Sequence, residues 1–259
     1  MLINSTIGSS YELKNVTLQA RVKTVSMCIN KGQCWHLLGP NGAGKSSLLL
    51  LLSGIETPTH GVLTLGDIPL AEHSLAQLAT IRCFLHQQQQ SEFDIPLFQL
   101  LHFYTNSTHI PRKIEEHLHI ASLLHKPLST LSGGQQQRFH IARNLCQIWS
   151  AIVKGEGLIL LDEPISHLDV KYQCAILSLL QHVCEMGNTV IMTSHDLNLS
   201  QQYASHIGLL KEQQLVFQGL TNEVMRLDNL QTIFDHSFVQ IVNEHNTQKY
   251  IVSAPNQSI

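Results

Sequence analysis

The residues GPNGAGKSS at 39–47 carry the strongest chemical signal in the chain. Gly39, Pro40, Asn41, Gly42, Ala43, Gly44, Lys45 and Ser46 fill every fixed position of a phosphate loop, and Ser47 follows them. Small residues at these places let successive backbone N–H groups curl around the β- and γ-phosphates of a nucleoside triphosphate. Lys45 adds a point charge, and the Ser46 hydroxyl is of the type that ligates Mg²⁺. A second glycine turn, LSGGQQQR at 131–138, begins with Ser132 and opens what reads as a helix. Such a turn offers free N–H groups and a positive dipole end to an anion. The chain therefore holds two phosphate-seeking turns that lie far apart in sequence.

Two carboxylates fit the first of these turns. LILLDEP at 158–164 reads as a buried strand that delivers Asp162 to its polar end, where it can hold Mg²⁺ directly or through water. Glu163 follows it and is expected nearer the γ-phosphate, polarising water for in-line attack. His195, in TSHD at 193–196, ends another strand at its carboxyl edge. Ligands collect at that edge of parallel sheets, so His195 is a candidate γ-phosphate sensor. Gln87 follows CFLH and is a candidate for Mg²⁺ or the attacking water, although Gln88, Gln89 and Gln90 leave its register open.

The elements that position these residues form a pattern. CWHLL at 34–38 reads as a short buried strand before the glycine loop, and KSSLLLLLSG reads as a helix ending near Gly54. LILL at 158–161 and TVIMT at 189–193 are further buried strands. Between them Ile176, Leu180, Val183 and Cys184 recur at helical spacing, with Gly187 and Asn188 as the stop. Strand, helix, strand in this order predicts an α/β fold with a parallel sheet covered by helices. The stretch 91–155 reads as helical, punctuated by Pro96, Pro111 and Pro127, with Ile141, Leu145 and Ile148 on one apolar face. It is expected to be a helical subdomain inserted into a core formed by 1–90 and 156–259. The tail from 205 suggests strand pieces IGLLK, LVFQG and KYIVS, and one helix near 221–233.

Composition excludes several classes. The 259 residues are 43% hydrophobic and carry a net charge of −3 with no dominant basic patch, which disfavours nucleic acid as the main ligand. Charged residues make up 14%, against about 25% in typical soluble domains. Six cysteines form no CxxC pair and several sit in apolar runs, which predicts buried free thiols. Sixteen histidines form no HExxH or Cys/His cluster. The N-terminus lacks a signal-peptide layout. The longest leucine run, Leu48 to Leu52, falls far short of the about 20 apolar residues of a spanning helix.

Together with the phosphate loop, LILLDEP and TSHD, the segment LSGGQ at 131–135 resembles the signature of the ATP-binding subunits of ABC transporters. The resemblance runs over nearly the whole chain. It implies a P-loop ATPase fold, with a RecA-like parallel core, an antiparallel β portion and an inserted helical subdomain. It also implies ATP and Mg²⁺ as cofactors, and a homodimer in which two copies pack head to tail. The signature turn of one copy then closes over the ATP held by the other, with Ser132, Gly133, Gly134 and Gln135 at the γ-phosphate. On the same resemblance Gln87 belongs to a loop that couples the site to two membrane-spanning permease subunits. Asp169, in SHLD at 166–169, is the acid of a dimer-contact loop, and His195 is the switch histidine. A periplasmic substrate-binding protein and a peripheral place at the cytoplasmic face of the bacterial inner membrane follow by implication. SEFDIPLFQLL at 91–101 offers exposed apolar candidates for the permease contact.

Two departures matter. Ser47 stands where threonine is frequent and keeps the hydroxyl. Aligning LKNVTLQAR places Ala20 where the family usually has an aromatic residue to stack on adenine, and Tyr11 lies too early. The short segment before the phosphate loop, the 31-residue spacing from Leu131 to Asp162 and SHDLN at 194–198 are similar to the vitamin B12 importers within the family. Iron-siderophore and haem importers share that architecture. The rival class, soluble ABC ATPases of DNA repair or translation, commonly carries a long coiled-coil insertion or two fused ATPase domains, and neither is visible here.

Overall fold

Two hydrophobic periodicities sort the chain into two sheets. The computed structural model describes residues 11–86, 94–242 and 249–254. It begins with β1 (Tyr11–Leu18), β2 (Val22–Ile29), β3 (Cys34–Leu38), helix α1 (Lys45–Leu52), β4 (His60–Leu65) and β5 (Ile68–Pro69). Then come α2 (Leu75–Ile81), β6 (Arg82–Leu85), α3 (Leu97–Thr105), α4 (Arg112–Leu118), α5 (Gly133–Gln147) and α6 (Trp149–Val153). The remainder is β7 (Leu158–Leu161), α7 (Val170–Glu185), β8 (Thr189–Thr193), α8 (Leu197–Tyr203), β9 (His206–Lys211), β10 (Gln214–Leu220), α9 (Thr221–Val224), α10 (Leu227–Phe234), β11 (Phe238–Val242) and β12 (Lys249–Ser253).

Strands that alternate apolar and polar residues make the antiparallel sheet, ordered β2-β1-β4-β5. Tyr11, Leu13, Val16 and Leu18 face inward from β1, as expected when one sheet face meets water. Continuous apolar strands make the second sheet, ordered β10-β9-β3-β8-β7-β6, in which only the β9–β10 edge pair is antiparallel. Alternate residues of its strands serve two cores. Leu158 and Leu160 join the antiparallel sheet and the leucines of α1. Ile159 and Leu161 join the inward faces of α3, α4, α5 and α7. The sheet is thus buried on both faces, the condition for parallel pairing.

The expected Ile141–Leu145–Ile148 stripe on α5 and the Ile176–Leu180–Val183–Cys184 stripe on α7 are in that second core. All six cysteines are free; Cys34, Cys83 and Cys184 are buried, whereas Cys28 is exposed. Two expectations need correction. The single tail helix near 221–233 is two helices, α9 and α10, separated at Met225 and Arg226, whose backbone leaves the helical region (Met225 ψ 44°, Arg226 ψ 148°). KYIVS is a strand as expected, β12, and it pairs with β11 in a separate hairpin. Within 94–101, Leu97 and Leu101 are fully buried, because the periodicity of α3 turns them into the core. The exposed apolar side chains of that helix are Phe103 and Tyr104.

The long spacing between the second glycine turn and β7 has a structural use. It contains α6 and a loop that Asn188 ties down from the far side of α7. The Asn188 side chain accepts from the Gly157 N–H at 2.7 Å and donates to the carbonyls of Ile152 and Val183. Asn188 is fully buried. The carbonyls of Ile152 and Val183 also accept the N–H groups of Gly155 and Asn188, so it is the Gly157 N–H that depends on the Asn188 side chain, at about 1–3 kcal/mol if left unpaired.

His140 of α5 is 5% exposed, and neither ring nitrogen has a hydrogen-bond partner. Burial, with the nearby Arg143 charge, pushes its proton affinity down to about 4. A histidine held neutral in the folded state adds stability that is present above about pH 6.5, its unfolded value, and is lost as pH falls toward 4. We expect the urea midpoint of the native chain to drop over that window by up to about 3 kcal/mol in free energy relative to His140→Phe. Parallel pH profiles of the two proteins would rule this out.

Candidate functional site

Strand β3 is buried at every residue and ends where the glycine loop begins. The loop turns through Gly39, Gly42 and Gly44 at φ 149°, 77° and 98°, conformations closed to most side chains. A Cβ on Gly39 would lie 2.1 Å from the Leu210 carbonyl oxygen, and one on Gly44 would lie 2.7 Å from that of Arg21. Glycine is therefore demanded here by close approach as well as by φ. Lys45 opens α1 and folds back over the loop, its Nζ donating to the carbonyls of Gly39 (2.7 Å) and Pro40 (3.1 Å). Burial lowers its proton affinity, and the carboxylates of Glu163 and Asp162 oppose that shift.

Asp162 ends β7 at 2% exposure. Its Oδ1 accepts from the hydroxyls of Ser46 at 3.1 Å and Thr193 at 2.6 Å. Thr193 was not foreseen as a site residue; its signal was a polar residue closing the apolar run TVIMT. The Thr193 hydroxyl oxygen also accepts the Glu163 N–H at 2.9 Å. Glu163 stands at φ 49°, a strained conformation for a glutamate and one found at functional sites. Its Oε1 lies 2.7 Å from His195 Nε2, with side-chain exposures of 19% and 45%. The ends of β7 and β8 thus bring Asp162 to Ser46 of the phosphate loop and His195 to Glu163.

Glu163 borders a cleft of about 490 Å³ that is also lined by the loop from Asn41 to Ser47, Ala20, Arg21 and Gln213, whereas Asp162 and His195 join it through their bonds to Ser46 and Glu163. Arg21 and Gln213 were not anticipated; they come from turns, and turn residues carry no periodic signal. Ser132, Gly133, Gly134, Gln135 and Asp169 do not border this cleft. Ser132 caps α5, accepting the Gln135 N–H while the Gln135 side chain accepts the Ser132 N–H. A Cβ on Gly133 would meet nothing within 4 Å, so the chain's own packing does not require glycine there. Asp169 caps α7 through the Tyr172 N–H at 3.0 Å. Gln87 lies outside the described residues.

The site suits a triphosphate with a hard cation. The loop supplies curled N–H groups and a buried ammonium. Ser46 and Asp162 supply oxygen donors of the type Mg²⁺ prefers, which it completes with substrate phosphates rather than with an all-protein cage. Among the described residues no cluster of three or more His, Cys, Asp or Glu could hold a metal, in keeping with that sparse donor set. No helix among them is long and apolar enough to cross a membrane.

The ABC transporter family profile matches residues 22–166. The chain is 37% identical over 249 residues to the vitamin B12 import ATP-binding protein BtuD of Yersinia pseudotuberculosis, covering 93% of this chain and 97% of that one. It is 35% identical to the hemin import ATP-binding protein HmuV of Rhodopseudomonas palustris, covering 83% and 84%. A metal-chelate type ABC transporter in an inward-facing conformation superimposes with a TM-score of 0.77 at 26% identity, covering 96% of this chain and 98% of that one. With the phosphate loop, the Asp162–Glu163 pair and the signature turn placed as they are, the chain belongs to the ABC transporter family, as one of its ATP-hydrolysing import subunits.

Proposed function

We propose that this chain energises vitamin B12 uptake, as a homodimer attached to two membrane-spanning permease subunits at the cytoplasmic face of a bacterial inner membrane, with cargo handed over by a periplasmic substrate-binding protein. The observation that carries the ATPase part is the meeting of Lys45 and Glu163 on one cleft, with Asp162 bonded to Ser46 of its wall. Similarity to the BtuD relatives over nearly their full length supports the cargo.

Residues 39–47 cradle the triphosphate. Ser46, Asp162 and Gln87 would hold Mg²⁺, which would supply Lewis-acid stabilisation of phosphate charge. Glu163 accepts a proton from the attacking water, and His195 orients that carboxylate through the Nε2–Oε1 contact while facing the γ-phosphate. The strained Glu163 backbone fixes where its carboxylate points. Ser132, Gly133, Gly134 and Gln135 serve the nucleotide of the other copy, and Asp169 lies at the contact between copies. The openness around Gly133 supports that reading, since a phosphate from outside has room to approach its N–H. Residues 1–90 and 156–259 form the nucleotide-binding core, and 91–155 the helical subdomain that carries the signature.

ATP closes the dimer because each γ-phosphate gathers donors from two chains, and hydrolysis removes the bridge. A second cargo reading, haem, is favoured by the hemin import relative at nearly the same identity.

Glu163→Gln is expected to bind ATP normally while turnover falls at least about 100-fold; near-normal steady-state ATPase excludes Glu163 as the base. For the shared site, Lys45→Ala and Ser132→Arg proteins should each be inactive alone. Mixed, they should regain turnover, because a heterodimer holds one intact loop facing one intact signature. A mixture as inactive as its parts counts against sharing. Deleting the gene should abolish growth that depends on scarce cobalamin and spare growth on haem; the reverse pattern assigns haem.

A further inference from the structure

Two tight turns meet at the outer end of the cleft. The β1–β2 turn holds Ala20 at φ 61°, and the β9–β10 turn holds Glu212 and Gln213 at φ 49° and 71°. The Gln213 N–H donates to the Ala43 carbonyl at 3.2 Å, and the Gln213 carbonyl accepts the Lys23 N–H at 2.7 Å. A Cβ on Gly44 would sit 2.7 Å from the Arg21 oxygen and 3.4 Å from Gln213 Cα. Both turns are therefore packed onto the phosphate loop and are as fixed as the loop itself.

Arg21 leaves the first turn with its guanidinium held at one point. Its Nη2 donates to Glu56 Oε1 at 2.8 Å, with side-chain exposures of 43% for Arg21 and 32% for Glu56. Among the described residues bordering the cleft there is no aromatic ring. Tyr11 cannot supply one, because it is fully buried within the antiparallel sheet's core. The cleft at Lys45 also borders Ala20, Arg21 and Gln213, so a nucleotide held there by its phosphates would have these turns within its cleft, where Ala20 is too small to cover a base. A guanidinium is planar, delocalised and weakly hydrated, and it stacks on π faces where an ammonium does not.

We propose that Arg21, braced by Glu56, is the nucleobase platform of this site, lying flat on one face of the purine in place of the aromatic side chain that position 20 lacks. This rests on the nucleotide reading of the cleft. It makes base recognition a matter of a stacked plane rather than of charge on the phosphates.

The test is calorimetric titration of the full chain with Mg-ATP and with inorganic triphosphate. Native protein should bind ATP more tightly than triphosphate. Arg21→Ala and Arg21→Lys should weaken ATP about 5- to 30-fold and move triphosphate less than about twofold. Arg21→Tyr, which restores a plane without the charge, should return ATP affinity to near the native value. The Lys–Tyr comparison carries the test even if Arg21→Ala is misfolded. Equal losses for ATP and triphosphate, or Lys outperforming Tyr, overturn the platform. Failure of native protein to bind ATP, with Lys45→Ala indistinguishable from it, removes the nucleotide reading itself and this proposal with it.

Discussion

One buried oxygen organises the site. Asp162 Oδ1 accepts from Ser46, at the start of α1, and from Thr193, at the end of β8. These hydroxyls come from 116 and 31 residues away in sequence, and Asp162 itself ends β7. A carboxyl group at 2% exposure needs such donors around its oxygens. The two hydroxyls and the Lys45 charge meet that condition. The same three-way contact sets the phosphate loop against the strand ends, and Thr193 passes the constraint on to the Glu163 backbone. Moving the end of β7, the end of β8 or the start of α1 would unbalance the other two.

Much of this was legible in the letters because it rests on local rules. CWHLL, LILL and TVIMT are short apolar runs that both cores need, and the stops after them are polar residues with chemistry to do. The glycine loop was legible for the same reason, since Gly39 and Gly44 are dictated by φ and by close approach. The helical stripes of α5 and α7 followed from spacing alone.

What escaped reading lies where partners are distant. Nothing near Arg21 or Gln213 in sequence announces that a β1–β2 turn and a β9–β10 turn will meet on Gly44. Asn188 read as a helix stop, yet its main role is to pair with Gly157 and Ile152, more than 30 residues earlier. The tail helix split because Met225 and Arg226 leave helical geometry to let α9 and α10 each pack on β9. The segment 91–101 read as an exposed partner contact on the family resemblance, whereas the register of α3 buries Leu97 and Leu101.

The cap on α5 also limits what can dock there. The Ser132 oxygen already receives the Gln135 N–H, which leaves it the hydroxyl hydrogen and one lone pair. A ligand made wholly of acceptors can take that hydrogen and leave the start of the helix intact. The N–H groups of the first helical turn beside it are donors too, so the helix end as a whole favours oxyanions while it stays wound.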